Sequence, residues 1–144
     1  MSSPTKDIVV DTNVIRLYDK PSDPQFKSLF KWLHEHGTLA ISQKLLAEYI
    51  GIGNTLLAGL INRLIANGRL SHIGSKELKA FAEDRRYRYR SNARDHWHAR
   101  LVFLSTRKLL VSIDKKLVND VNGFKKLGGV KPRASSSPSP AFYN

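Results

Sequence analysis

The chain has no cysteine, and its single methionine is the first residue. Disulfide staples and thiolate metal sites are therefore excluded, and the usage is compatible with a reducing compartment. Long apolar runs are missing as well. None approaches the roughly 18 residues that a membrane-spanning helix needs. The opening Met1-Ser2-Ser3-Pro4-Thr5-Lys6 has no apolar stretch behind a basic start, so no signal peptide is predicted. A cytoplasmic protein without a membrane partner is expected. Acidic residues are scarce too: 12 Asp and Glu stand against 24 Lys and Arg, a formal net charge of +12. That imbalance points to a polyanionic partner, nucleic acid first, an acidic protein second and a membrane surface third.

What is present suits one globular domain. The chain has 144 residues, of which 41% are hydrophobic. Short β-branched or apolar runs at Ile8–Val10, Thr38–Ser42 and Leu109–Ile113 read as buried strands, with a minor strand at Leu70–Ile73. Between them lie helical periods. Asp23-Pro24 is an N-cap followed by proline, opening a helix with Phe26, Leu29, Phe30 and Leu33 inward. Gln43–Ile50 and then Leu56, Leu57, Leu60, Ile61, Leu64 and Ile65 form two more, broken at Gly51-Ile52-Gly53-Asn54. That break lacks the Lys-Ser/Thr of a phosphate loop. Ser75 is expected to cap a short helix, and a further helix runs from Asp95. Strands alternating with helices predict an α/β sandwich around a mostly parallel sheet. The domain is expected to span residues 1–130, with the Ser- and Pro-rich 131–144 as a flexible tail.

The pattern centres on Ile8-Val9-Val10-Asp11-Thr12-Asn13. A buried strand ends abruptly in a carboxylate, at the sheet edge where open α/β folds place their sites. Such a charge needs a neighbouring arginine, backbone N–H groups or a metal ion to offset its desolvation. Most other acids (Asp7, Asp19, Asp23, Glu35, Glu77, Glu83, Asp120) are expected in caps, turns or polar helix faces. Glu48, Asp95 and Asp114 are different. Asp114 ends a strand as Asp11 does, Glu48 sits on a largely apolar helix, and Asp95 opens one. Carboxylates forced together repel, and a divalent cation resolves that conflict. Oxygen donors without cysteine suit Mg2+ or Mn2+, which can activate water against a phosphodiester.

These segments carry a resemblance. Ile8-Val9-Val10-Asp11-Thr12-Asn13-Val14-Ile15 resembles the opening signature of the PIN-domain nucleases. Leu46-Ala47-Glu48-Tyr49 is similar to the family's early helical acid. Asp95–Leu101 followed by Leu110–Leu117, with Asp114 in it, resembles its C-terminal pair. The likeness covers about Asp7 to Phe124. It implies a three-layer α/β/α sandwich, a Mg2+ or Mn2+ site and endoribonuclease activity on single-stranded RNA. Asp11, Glu48, Asp95 and Asp114 would be the catalytic metal ligands, with Asn13 and Ser112 auxiliary. It further implies kinship with the small toxins of toxin–antitoxin pairs, hence an acidic antitoxin or inhibitor as partner and a homodimer. The departure lies at Trp97 and His98, where many members carry small or apolar residues. His96 and His98 are open between surface residues, RNA contacts and metal ligands.

Arg85-Arg86-Tyr87-Arg88-Tyr89-Arg90 runs towards Arg94 and the Asp95 helix. Arginines bind phosphates and tyrosines stack on unpaired bases, so Arg85, Arg86, Arg88, Arg90 and Arg94 are the expected RNA contacts. The competing reading is a solvated helix face with tyrosines packed beneath. A second function class is a non-catalytic nucleic-acid-binding module of the same fold. A phosphotransfer enzyme is disfavoured, because Asn13 stands where an Asp-x-Asp motif needs its second acid.

Overall fold

The structure, a computed structural model, describes residues 6–81, 89–91 and 93–144, with side chains for all of these except 93 and 94. Among these residues five short strands form one parallel sheet: β1 (Asp7–Val10), β2 (Thr38–Ile41), β3 (Leu70–His72), β4 (Leu109–Val111) and β5 (Arg133–Ser135), in the order β3-β2-β1-β4-β5. Every residue of β1, β2 and β4 is buried. Side chains alternate between sheet faces, so burial at every position requires cover on both. Helices supply it. The α/β/α arrangement expected from the sequence is what the chain adopts.

The helices are α1 (Thr12–Ile15), α2 (Pro24–Glu35), α3 (Gln43–Gly51), α4 (Thr55–Ala66), α5 (Ser75–Ala80), α6 (Ala93–Leu104), α7 (Lys115–Asn122) and α8 (Pro140–Tyr143). Asp23 caps α2 through a hydrogen bond from Gln25 N, with Pro24 at the first helical position. Ser75 opens α5 instead of capping it: the N-cap is Gly74, which has no side chain to offer. In α4 only part of the apolar stripe is inward. Leu57, Leu60 and Leu64 are buried, whereas Leu56 and Ile65 are exposed. Among the described residues no helix is long and apolar enough to cross a membrane.

Strand order fixes where a site can form. From β1 the chain moves outward to β2 and β3, then returns to place β4 on the other side of β1. The β1–β4 junction is therefore the point where the winding reverses, and ligands bind at the C-terminal strand ends at such a point. Val9 pairs with Leu110 and Val10 with Val111, and Asp11 N extends the ladder to Val111 O at 2.9 Å. Asp11 and the Ser112–Asp114 turn thus leave the sheet side by side.

Two expectations need correction. Residues 131–144 are not a loose tail, because they add β5 to the sheet, and Ala134 and Tyr143 are buried. Leu127 and Val130 exchange backbone hydrogen bonds across Gly128 and Gly129, both at positive φ (57° and 81°), a tight reversal that turns the chain into β5. Tyr143 then seats its ring 4.9 Å from that of Trp32 on α2. Asp7 and Asp120 are also not surface carboxylates; both are buried. Asp7 accepts from Thr106 N (2.7 Å) and Arg107 N (2.9 Å). Asp120 accepts from Arg90 N (2.7 Å), Ser91 N (2.9 Å) and the Ser91 hydroxyl. Backbone N–H groups, joined by the Ser91 hydroxyl at Asp120 and the Arg107 guanidinium 3.9 Å from Asp7, offset these charges, and sequence pattern carries no trace of such distant donors.

Candidate metal centre at the strand ends

Asp11 leaves β1 in an extended conformation and caps α1. One carboxylate oxygen accepts from Thr12 N at 2.7 Å and the other from the Ser112 hydroxyl at 2.7 Å. Both oxygens are therefore aimed, although the residue is only 8% exposed. Ser112 is itself fully buried. Besides donating to Asp11, its oxygen accepts from Asp114 N (3.0 Å) and from the Asn13 amide (3.3 Å). One hydroxyl thus couples the turn after β4 to the turn after β1. Asp114 caps α7, accepting from Lys116 N at 3.0 Å.

Glu48 projects from α3 towards the same place. The Thr12 hydroxyl donates to its Oε1 at 2.5 Å, and His98 Nε2 lies 3.0 Å from Oε2. The next residue, Tyr49, donates its hydroxyl to Val10 O, tying α3 to the last residue of β1. Burial pushes the Tyr49 phenol well above its ordinary pKa, and the charges of Asp11 and Glu48 push the same way. The phenol stays protonated and keeps donating.

Asp11, Glu48, Asp95 and Asp114 all line one cleft of about 570 Å3, together with Thr12, Asn13, Arg16, Gly51 and Ile52. The sequence-predicted acids are thus brought to a common space, but not equally close. The donors that come within 4.8 Å of one another belong to Asp11, Glu48 and His98. This group could hold a divalent cation. Asn13 and Ser112 are both in the hydrogen-bonded frame behind Asp11. Thr12 and Tyr49 are not among the expected site residues, and His98 is one for which metal ligation is only one of three readings. His98 had one available signal: it follows Asp95 by three residues and so shares its helix face.

The basic segment is only partly in view. Arg85, Arg86 and Arg88 lie outside the described residues, as does the side chain of Arg94. Arg90 is exposed, and its backbone N–H is bound to Asp120 on α7. Compared with known proteins, no family model and no curated protein matches this chain.

Proposed function

We propose that the protein is a metal-dependent endoribonuclease that hydrolyses phosphodiester bonds of single-stranded RNA. The observation that carries this reading is the convergence of four carboxylates on one cleft at the winding reversal of a parallel sheet. Two further features support it: the net charge of +12 and the resemblance of the Asp11, Glu48 and Asp114 segments to PIN-domain nucleases.

The donor set fits a divalent cation. Asp11 and Glu48 offer hard oxygens whose orientations are already set by Ser112, Thr12 and His98, so little ordering is needed on binding. Asp95 and Asp114 line the remaining wall, from which they can hold water or a further ligand. When bound, the ion lowers the pKa of a coordinated water and stabilises charge on the phosphate. The chain's own residues do the rest. Arg16 lines the same cleft and can bind a phosphate oxygen of the strand. Ser112 holds Asp11 and Asp114 in register, and Tyr49 fixes the strand end that presents Asp11.

The test is direct. Structured and unstructured RNAs are incubated with the protein in Mg2+, Mn2+ or EDTA, alongside Asp11→Asn and Asp114→Asn variants. Cleavage of unstructured RNA that stops with EDTA and in both variants is expected. Cleavage surviving EDTA or both substitutions would sink the proposal. RNA binding without cleavage in either ion would leave a binding module of this fold in its place.

A further inference from the structure

His98 enters the cluster from α6 and is only 3% exposed. Its one polar contact among the described residues is Nε2 to Glu48 Oε2, and Nδ1 is buried without a partner. A histidine kept for packing normally has both ring nitrogens satisfied, by backbone, side chain or water. Here Nε2 alone is engaged, on Glu48, at the side of the ring that faces the acid cluster. Asp11 and Glu48 each bring a carboxylate oxygen to within 4.8 Å of a ring nitrogen, a grouping of three metal-ligand types around one point. Two donors on one ion, each about 2.1 Å from it and near a right angle apart, stand about 3 Å from each other. His98 and Glu48 are 3.0 Å apart.

We propose that His98 is a nitrogen ligand in a mixed imidazole–carboxylate site with Asp11 and Glu48, and that this site selects a first-row transition ion such as Mn2+ over Mg2+. The inference rests on the cation reading of the cleft given above, and narrows it. Mg2+ takes oxygen donors and keeps its waters, whereas first-row transition ions also bind imidazole, Mn2+ the most weakly of them and Fe2+ or Zn2+ more strongly. A nitrogen among the donors therefore changes which ion the protein holds, whatever reaction follows.

The decisive measurement needs no variant. The full chain is loaded with Mn2+ and examined by pulsed electron paramagnetic resonance for coupling to 14N, while calorimetry compares Mn2+ with Mg2+. Nitrogen coupling is expected, with Mn2+ bound about tenfold or more tightly than Mg2+. In His98→Gln the coupling disappears and Mn2+ affinity falls by at least ~10-fold, as loss of even an outer partner of a metal ligand does. Mg2+ affinity changes far less. No binding of Mn2+, no nitrogen coupling, coupling that persists in His98→Gln, or equal affinity for the two ions overturns the proposal. RNA cleavage is scored separately, so the two readings can fail apart. Nitrogen coupling without cleavage retains the site and removes the nuclease. Cleavage in Mg2+ with no nitrogen coupling does the reverse.

Discussion

Ser112 has no charge and no exposure, yet two of the four acids depend on it. Replacing it with alanine leaves one oxygen of Asp11 and the N–H of Asp114 without their partners. Removing one side of a buried hydrogen bond to a charged group costs about 1–3 kcal/mol. Ser112→Ala should lose that much in urea denaturation; stability within experimental error of the parent would show that the hydroxyl is not what holds the turn. Gly37 makes a different demand, for space. A Cβ there would stand 2.5 Å from the Trp32 ring, which is itself packed on Tyr143. Gly37→Ala should therefore cost roughly 1–3 kcal/mol through overpacking. Gly59 has nothing within 4 Å of its added Cβ and lies in the middle of α4, so Gly59→Ala should stabilise by about 0.5–1 kcal/mol. Opposite shifts in melting temperature for two Gly→Ala changes are the check. Asp11 was legible in the sequence because its meaning is local, a carboxylate at the end of a strand. His98, Asp7 and Asp120 were not, because each is defined by groups 29 to 100 positions away.

β5 shows how an element can exist without a local signal. Arg133-Ala134-Ser135 has neither length nor strong β-propensity, and Ser-Pro flanks suggest a loop. Its conformation comes from outside. Arg133 N donates to Lys108 O and Ser135 O accepts from Ser112 N, the residues flanking β4, while Ala134 turns its N–H and C=O away from the sheet. There the Asn122 amide meets both, accepting at 2.8 Å and donating at 3.0 Å, as a neighbouring strand would. An edge strand is thus closed by a single side chain at the C-terminus of α7. Asn122→Ala should accelerate hydrogen exchange at the Ala134 amide while Asp11 N, inside the sheet, stays protected, with about 1–2 kcal/mol of stability lost. Unchanged exchange at Ala134 would mean that the edge is held by β4 alone. The strands β1, β2 and β4 and the cap of α2 could be read directly because local propensity and tertiary packing agree there. At α4 the apolar stripe is wider than the face it buries, and at β5 non-local pairing overrides composition.

At the scale of the whole molecule, the net charge of +12 has two components that sequence counting cannot separate. Some cations serve the fold. The Arg69 guanidinium donates to Leu33 O, His34 O and Gly37 O at the end of α2, and Arg63 donates to His34 O as well. Such donors satisfy the orphan carbonyls of a helix C-terminus. Lys131 does the same past α7, with Nζ on Asn122 O and Phe124 O at 2.6 and 2.7 Å. Arg133 lies over the Phe142 ring. Lys131 and Arg133, counted by composition as attraction for a polyanion, therefore have structural employment. The arginines at 86, 88 and 90 are the RNA contacts expected from the sequence, and the two groups should separate in one experiment. Each phosphate contact on a single strand contributes about 0.7 to the slope of log affinity against log salt. Replacing Arg86, Arg88 and Arg90 together with alanine should flatten that slope by roughly 2 on a single-stranded RNA. Lys131→Met removes one charge as well, but should leave the slope unchanged and instead lower stability by about 1 kcal/mol through its lost carbonyl contacts. Equal flattening by both changes would mean that the RNA responds to net charge alone; no flattening by the triple change would take the arginine segment out of the RNA path.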